Sequence, residues 1–309
     1  RAFRGRDALS LPFAMVPYSS SVAASVRLLL LGLTWAGLAA CRRETPVEQP
    51  ARMVNLRTVQ SGPAIQAQEL DGAIAVQPRK ASLYARRAAF RLDAGQVAPA
   101  LQDIDRALEL DDAPGEFYYT KARALRAQGQ INAALNAAAA ASRRGFSSPD
   151  LNLLVGEMHL ARREYQPALD QLDRALQQEP DHAAALFYKG IAFVGLRDTL
   201  QALDYLRASV VRDPRQPETL HQLAFLLNAY RQPAEAAGYA ARGLKLAPTY
   251  GPLWYDYGRQ FELQQQPDSA ARIYARVVQL DTTFYRADYR LALGAYKARR
   301  YAQAVPHLQ

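Results

Sequence analysis

Apolar and polar positions alternate with a helical period through Gly251 to Thr282, GPLWYDYGRQFELQQQPDSAARIYARVVQLDT. Two amphipathic helices fit the stretch, one over about residues 252–264 and one over about 268–280. Pro267 stands at the entrance of the second, where a missing N–H is harmless and a fixed φ helps. Neither helix can bury its apolar stripe alone, so each needs its partner and the next pair along.

The chain supplies those neighbours at a fixed interval of 34 residues. Stepping back from Ala270 gives Ala236, Ala202, Ala168, Ala134 and Ala100, lapsing at Gln66; stepping forward gives Ala304. A second row runs through Ala88, Ala122, Gly156, Gly190, Ala224, Gly258 and Ala292. A third holds Ala73, Ala107, Ala141, Ala175, Ser209, Gly243 and Val277. A fourth closes the unit with Pro78, Pro180, Pro214 and Pro248, lapsing to Asp112, Phe146 and Thr282. Small residues let helix backbones approach; Tyr118, Leu172, Leu206, Trp254 and Tyr274 fill the gaps between them.

The period, the small-residue rows, Tyr165 and Tyr301 three residues before the alanine, and the closing proline resemble tetratricopeptide repeats. The resemblance runs from Ala81 to the last residue and weakens over 63–80. It implies an all-α fold, a right-handed α-solenoid of 34-residue helix–turn–helix units. The reading places a half repeat at 62–80, full repeats starting at Ala81, Gly115, Pro149, Ala183, Pro217 and Gly251, and a partial repeat over 285–309. The last unit stops inside its second helix without a polar cap, so the natural chain is expected to continue. The second full unit is the most divergent: a bare alanine run, Ala137 to Ala141, is followed by Arg143-Arg144-Gly145-Phe146 in place of the closing proline. A shallow contact and a hinge are expected there.

Upstream, the pattern changes. Residues 1–40 read as an export signal whose true start is Met15: Arg27 gives a positive n-region and Leu28 to Ala40 an apolar run ending in small residues. That run is short of the about 20 residues of a membrane span. Leu38-Ala39-Ala40-Cys41 resembles the bacterial lipobox, which implies a diacylglyceryl group on the Cys41 sulfur and cleavage before it. Cys41 is the chain's one cysteine and cannot form an internal disulfide. An ordinary signal with an incidental cysteine, or an uncleaved anchor, stays open. Arg42 after the cysteine, in place of aspartate, implies the outer membrane by resemblance to enterobacterial lipoproteins. Residues 41–61, with Pro46, Pro50 and mixed charge, read as a lipidated N-terminus and linker ahead of a solenoid over 62–309.

The search for chemistry yields no catalytic, metal or cofactor site. His159, His182, His221 and His307 never pair at i, i+3 or i+4, and no phosphate-binding glycine loop or nucleophile elbow occurs. No small-molecule substrate is implied. The formal charge is +9, part of it from Arg1, Arg4, Arg6 and Arg27 against Asp7. Export argues against nucleic acid and favours anionic headgroups or acidic envelope polymers.

What remains is the groove that first helices line in such repeats. The family pattern maps onto Tyr119, Arg123, Glu157, Phe187, Ile191, His221, Phe225, Asn228, Tyr255, Arg259, Tyr289 and Tyr296, with Tyr188 alongside. An aromatic stripe of this kind suits peptide recognition. The family's carboxylate clamp is missing, because its positions hold Ala85 and Ala89, Tyr119 and Arg123, or Phe187 and Ile191. The expected function is a non-enzymatic scaffold of the bacterial cell envelope, binding a protein segment in the groove and anchored through Cys41. The alternatives are an N-terminal arm of a longer envelope enzyme, or a binder of glycan or another polymer.

Overall fold

The computed structural model describes residues 63–307. The expected export signal, Cys41 and the expected linker up to residue 61 lie outside them. Among the described residues every regular element is a helix. In chain order they are α1 (Pro63–Val76), α2 (Ala81–Asp93), α3 (Val97–Leu110), α4 (Gly115–Ala127), α5 (Ile131–Arg143), α6 (Pro149–Ala161), α7 (Tyr165–Gln178) and α8 (Ala183–Leu196). There follow α9 (Thr199–Arg212), α10 (Pro217–Ala229), α11 (Pro233–Leu246), α12 (Gly251–Leu263), α13 (Pro267–Leu280), α14 (Tyr285–Lys297), α15 (Tyr301–Ala304) and a 3₁₀ turn, Val305–His307. The even-numbered helices from α2 to α14 are the first helices of pairs that repeat every 34 residues, as in an all-α solenoid.

The described residues divide into two compact units, one ending at Gly129 and the other beginning at Gln130. The division falls inside the repeat that carries the alanine run. In the first unit α1 packs on α2, and α2 packs on α3 and α4. Its core is Ala81, Ala85, Ala88, Ala100, Ile104, Ala107 and Phe117. Beside it, buried Asp103 takes bonds from Arg87 Nη2 and Arg91 Nη1, both at 2.6 Å. Such a carboxylate is tolerated because two guanidinium groups satisfy it.

In the second unit, from α7 to α13, each second helix packs on the first helix before it and the first helix after it. Neighbouring first helices also touch, α6 with α8 and α10 with α12. This puts the first helices on the closely spaced inner side.

Within a repeat, the small row meets a large residue 16 positions on. A methyl added at Gly156 would fall 2.9 Å from Leu172 Cγ, at Gly190 2.7 Å from Leu206 Cγ, and at Gly258 2.6 Å from Tyr274 Cε1. Where the row holds Ala224, its partner shrinks to Ala240 in the same buried cluster. Leu172 and Leu206 are fully buried, each worth about 2 kcal/mol of transfer free energy. The contact between repeats is matched too. A methyl at Gly243 would fall 2.5 Å from Leu253 Cδ1, whereas one repeat later Val277 lies in a cluster with Ala287.

The turns obey the same period. Within each pair, the residue two past the first helix has positive φ: Gly95, Gly129, Arg163, Arg197, Arg231, Gln265 and Arg299, except that Arg197 directly follows the longer α8. It lets the next N–H reach back to a helical carbonyl, as from Glu164 to His159 at 2.9 Å and from Gln232 to Leu227 at 2.8 Å. A side chain in this left-handed region costs about 1–2 kcal/mol. Between pairs, Asp111, Asp213 and Asp281 each accept from the N–H two residues on, at 3.1, 3.0 and 2.8 Å. In the last repeat, Pro306 lacks the N–H that an α-helix needs, and α15 passes into the 3₁₀ turn.

The close approach at Gly190 predicts a coupled pair. Gly190→Ala should cost about 1–3 kcal/mol by overpacking, and Leu206→Ala about 2–5 kcal/mol. Together they should cost less than the sum, because the shortened side chain makes room for the methyl. A double-mutant cycle by urea unfolding reads the coupling; strictly additive costs would refute it.

Candidate functional site

The inner side of the second unit brings together aromatic and charged residues from α8, α10, α12 and α14. On α8 the rings of Phe187 and Tyr188 meet edge to face at 5.0 Å. Both are half-buried, and Phe225 on α10 is half-buried against the same core as Phe187. Tyr255 on α12 lies 5.5 Å from the rings of both Tyr274 and Phe284. Tyr289 and Tyr296 on α14 stand out at 56% and 64% exposure. Glu157, Ile191 and Asn228 are buried. In the first unit, Arg123 bonds Asp93 at 2.8 Å and lies 5.9 Å from the centre of the Tyr119 ring.

Two polar networks tie the inner helices together. His221 Nδ1 on α10 lies 2.6 Å from Asp256 Oδ2 on α12, and Asn228 Nδ2 donates to the Asp256 carbonyl at 2.9 Å. Asp256 is 1% exposed, and its Oδ1 has no hydrogen-bond partner. Burial, the largest influence, pushes its carboxyl above the ordinary value, against the pull of His221, Arg259 and Arg286. The His221 ring is flanked by Tyr250 at 5.9 Å and Phe225 at 6.3 Å. Burial also pushes the Tyr250 phenol up to about 12.

The second network centres on Glu262 of α12. It accepts from Arg259 Nη1 at 2.9 Å, Arg290 Nη1 at 3.0 Å and Tyr274 OH at 2.9 Å. Burial opposes the charge of Glu262, but Arg290, Arg259 and these hydrogen bonds outweigh it and hold the carboxyl below its ordinary range. Arg290 also points its Nε at Tyr255 OH, 3.3 Å away. Arg259 and Tyr255 are therefore fixed in place before any partner arrives.

Sequence reasoning missed Asp256, Glu262 and Arg290. Only laying the repeats side by side reveals them: Asp256 and Arg290 occupy the same repeat position 34 residues apart, each one residue past the position of His221 and Tyr255. Each histidine has one carboxylate beside it: Glu164 for His159, Asp150 for His182, Asp256 for His221 and Asp288 for His307. Among the described residues no three His, Cys, Asp or Glu gather where they could hold a metal ion. A cavity of about 350 Å³ opens elsewhere, beside α5 and α6, lined by Phe146, Leu151 and Arg174.

Residues 119–177 and 159–217 match the family model described as tetratricopeptide repeat. No curated protein matches the chain. Solved structures share the fold. The APC/C hetero-tetramer Cut9–Hcn1 matches with a TM-score of 0.69 at 13% identity, over 75% of this chain and 46% of that one. This chain thus spans less than half of that relative. Pseudomonas aeruginosa pilF matches at 0.59 and 17% identity, over 66% of this chain and 93% of that one. The C-terminal part of a TPR repeat-containing protein from Cytophaga hutchinsonii matches at 0.54 and 13% identity, over 72% and 92%. Residues 119–217 thus match tetratricopeptide repeats, an architecture of protein–protein interaction scaffolds in general, and the helix pairs on either side keep the same 34-residue period.

The Glu262 network predicts a pH dependence with a definite sign. A carboxyl held below its unfolded value stabilises the fold above that value, 4.5 for glutamate, and the contribution is lost as pH falls through the folded one. Glu262→Gln should cost about 1–3 kcal/mol at neutral pH and flatten the loss of stability below pH 4.5. Urea midpoints across the acid range check this; identical slopes for the two proteins would contradict it.

Proposed function

We propose that this chain is a non-enzymatic scaffold of the bacterial cell envelope that captures a segment of a protein partner along the inner side of its first helices. The observation that carries the reading is the recurrence of aromatic residues on successive first helices, Phe187 and Tyr188, then Phe225, then Tyr255, then the exposed Tyr289 and Tyr296. Rings offer large contact area with little side-chain entropy to lose, and the tyrosines add a polar handle. Arg259 and Arg290, held by Glu262, keep the wall in one shape, so a partner meets a preorganised surface.

Location rests on the sequence. The lipobox-like Leu38-Ala39-Ala40-Cys41 supports acylation of Cys41 and attachment to the outer membrane. Several acyl chains, at about 0.8 kcal/mol per buried CH₂, hold a protein firmly. The linker over residues 42–61 then spaces the repeats from the lipid.

Two experiments test the two halves of the proposal. Tyr289→Ala with Tyr296→Ala removes exposed rings, so the melting temperature should hold while in-cell cross-linking loses a partner captured by the wild type. An unchanged set of cross-linked proteins would remove the inner side as the working face. Cys41→Ser should abolish labelling by a fatty-acid probe and shift the chain from the membrane to the soluble fraction; labelling that persists would sink the anchor.

A further inference from the structure

The left-handed turn position is a place where glycine is cheapest, and this chain uses glycine there at Gly95 and Gly129. In the second unit the same position holds Arg163, Arg197, Arg231, Gln265 and Arg299, all at positive φ between 58° and 62°, so four of its five residues are arginine. Local backbone strain that a smaller residue would relieve points toward a use for the side chain. All four arginines are exposed. None has an ion-pair partner among the described residues.

The turns lie along one edge. A methyl on Gly195, near the end of α8, would strike the ring of Tyr165, the first residue of α7. Thr199 Oγ1 at the start of α9 bonds Tyr230 OH just past α10. Arg300 before α15 reaches Asp268 on the first turn of α13 at 3.6 Å. The edge has acids, but each is occupied. Glu164 is held by Arg162 and His159, Asp198 caps α9 through the Gln201 N–H, Glu235 pairs with Arg207, and Asp268 pairs with Arg300. Asp198 keeps its charge, yet cations still outnumber anions in these turns, Arg162, Arg163, Arg197, Arg231, Arg299 and Arg300 against Glu164, Asp198, Glu235 and Asp268.

Among these arginines stand large apolar side chains without cover. Leu200 is 78% exposed, and Leu196 and Tyr230 are also exposed. All three flank Arg197 and Arg231 on adjoining turns. Cations spread over several repeats, with leucines and a tyrosine protruding between them, match an extended anionic layer with an apolar interior.

We propose that this edge of the second unit rests on an anionic phospholipid surface, with Arg163, Arg197, Arg231 and Arg299 among the phosphates and Leu196, Leu200 and Tyr230 in the headgroup layer. A fluid lipid surface accommodates side chains that protrude from open turns, where a folded acidic partner would need a shaped counterpart. The contact is separate from the inner side that takes a protein partner, and it needs no acyl group on Cys41. It would lay the unit on its edge and leave its inner side open.

The test uses the full chain with Cys41→Ser, so that no acyl group contributes, and a single thiol at Leu200→Cys carrying an environment-sensitive dye. On vesicles of equal phosphatidylethanolamine and phosphatidylglycerol, the dye emission should shift to the blue and its quenching by iodide should fall severalfold. Phosphatidylcholine vesicles should give neither change, and high salt should reverse both. A dye at Val211→Cys, near the other end of α9, should stay fully quenchable. Arg163→Gly, Arg197→Gly, Arg231→Gly and Arg299→Gly, made together, favour the turn backbone, so the melting temperature should hold or rise. The blue shift should then require at least about a hundredfold more anionic lipid. Equal responses at positions 200 and 211, or an unchanged response in the four-glycine variant, would overturn the proposal. So would a dye that ignores vesicles and responds to polyglutamate, which would make the edge a site for acidic protein.

Discussion

How closely the two helices of one repeat can approach is the constraint on which the rest depends. Gly156, Gly190 and Gly258 let Leu172, Leu206 and Tyr274 reach the facing backbone. Each large side chain then fills the space that the missing methyl leaves. Packing at this density has no slack for an extra methyl. The approach also holds the first helices side by side, which is what creates an inner side. The Glu262 and Asp256 networks refine that side; they do not build it.

Much of this was legible in the sequence, for a physical reason. A backbone contact that recurs every 34 residues forces small residues to recur at the same interval, and Ala88 to Ala292 print that rule in one register. The turn arginines were not legible, because the signal for a left-handed residue is glycine. Gly95 and Gly129 announce the position; Arg163, Arg197, Arg231 and Arg299 occupy it silently. The inner side was legible in part. The family pattern finds which positions lie on first helices, yet burial depends on the neighbouring repeat. Thus Ile191 packs with Leu160 and Leu169, while Tyr296 three repeats on meets the Tyr301 ring and stays 64% exposed. His221 and Asp256 are 35 residues apart, a spacing outside every local motif.

The two proposed surfaces differ in chemistry. The inner side offers rings whose positions are set by charged networks, which suits a partner with a defined shape. The turn edge offers unpaired cations and loose apolar side chains, which suits a boundary without fixed shape. The first comes from the faces of helices and the second from their ends. A solenoid can therefore carry both at once, since a residue on a helix face and a residue in a turn answer to separate rules.

The matched sizes at Gly243 with Leu253 and Val277 with Ala287 span the border between repeats. A duplicated repeat keeps the fit between its own two helices but meets a foreign neighbour at each border. Placing Val277 against a residue as large as Leu253 would overfill the border, and placing Gly243 against Ala287 would leave it hollow. The linear order of the repeats is thus inscribed in their cores. Repeats that share one pattern are therefore not interchangeable parts.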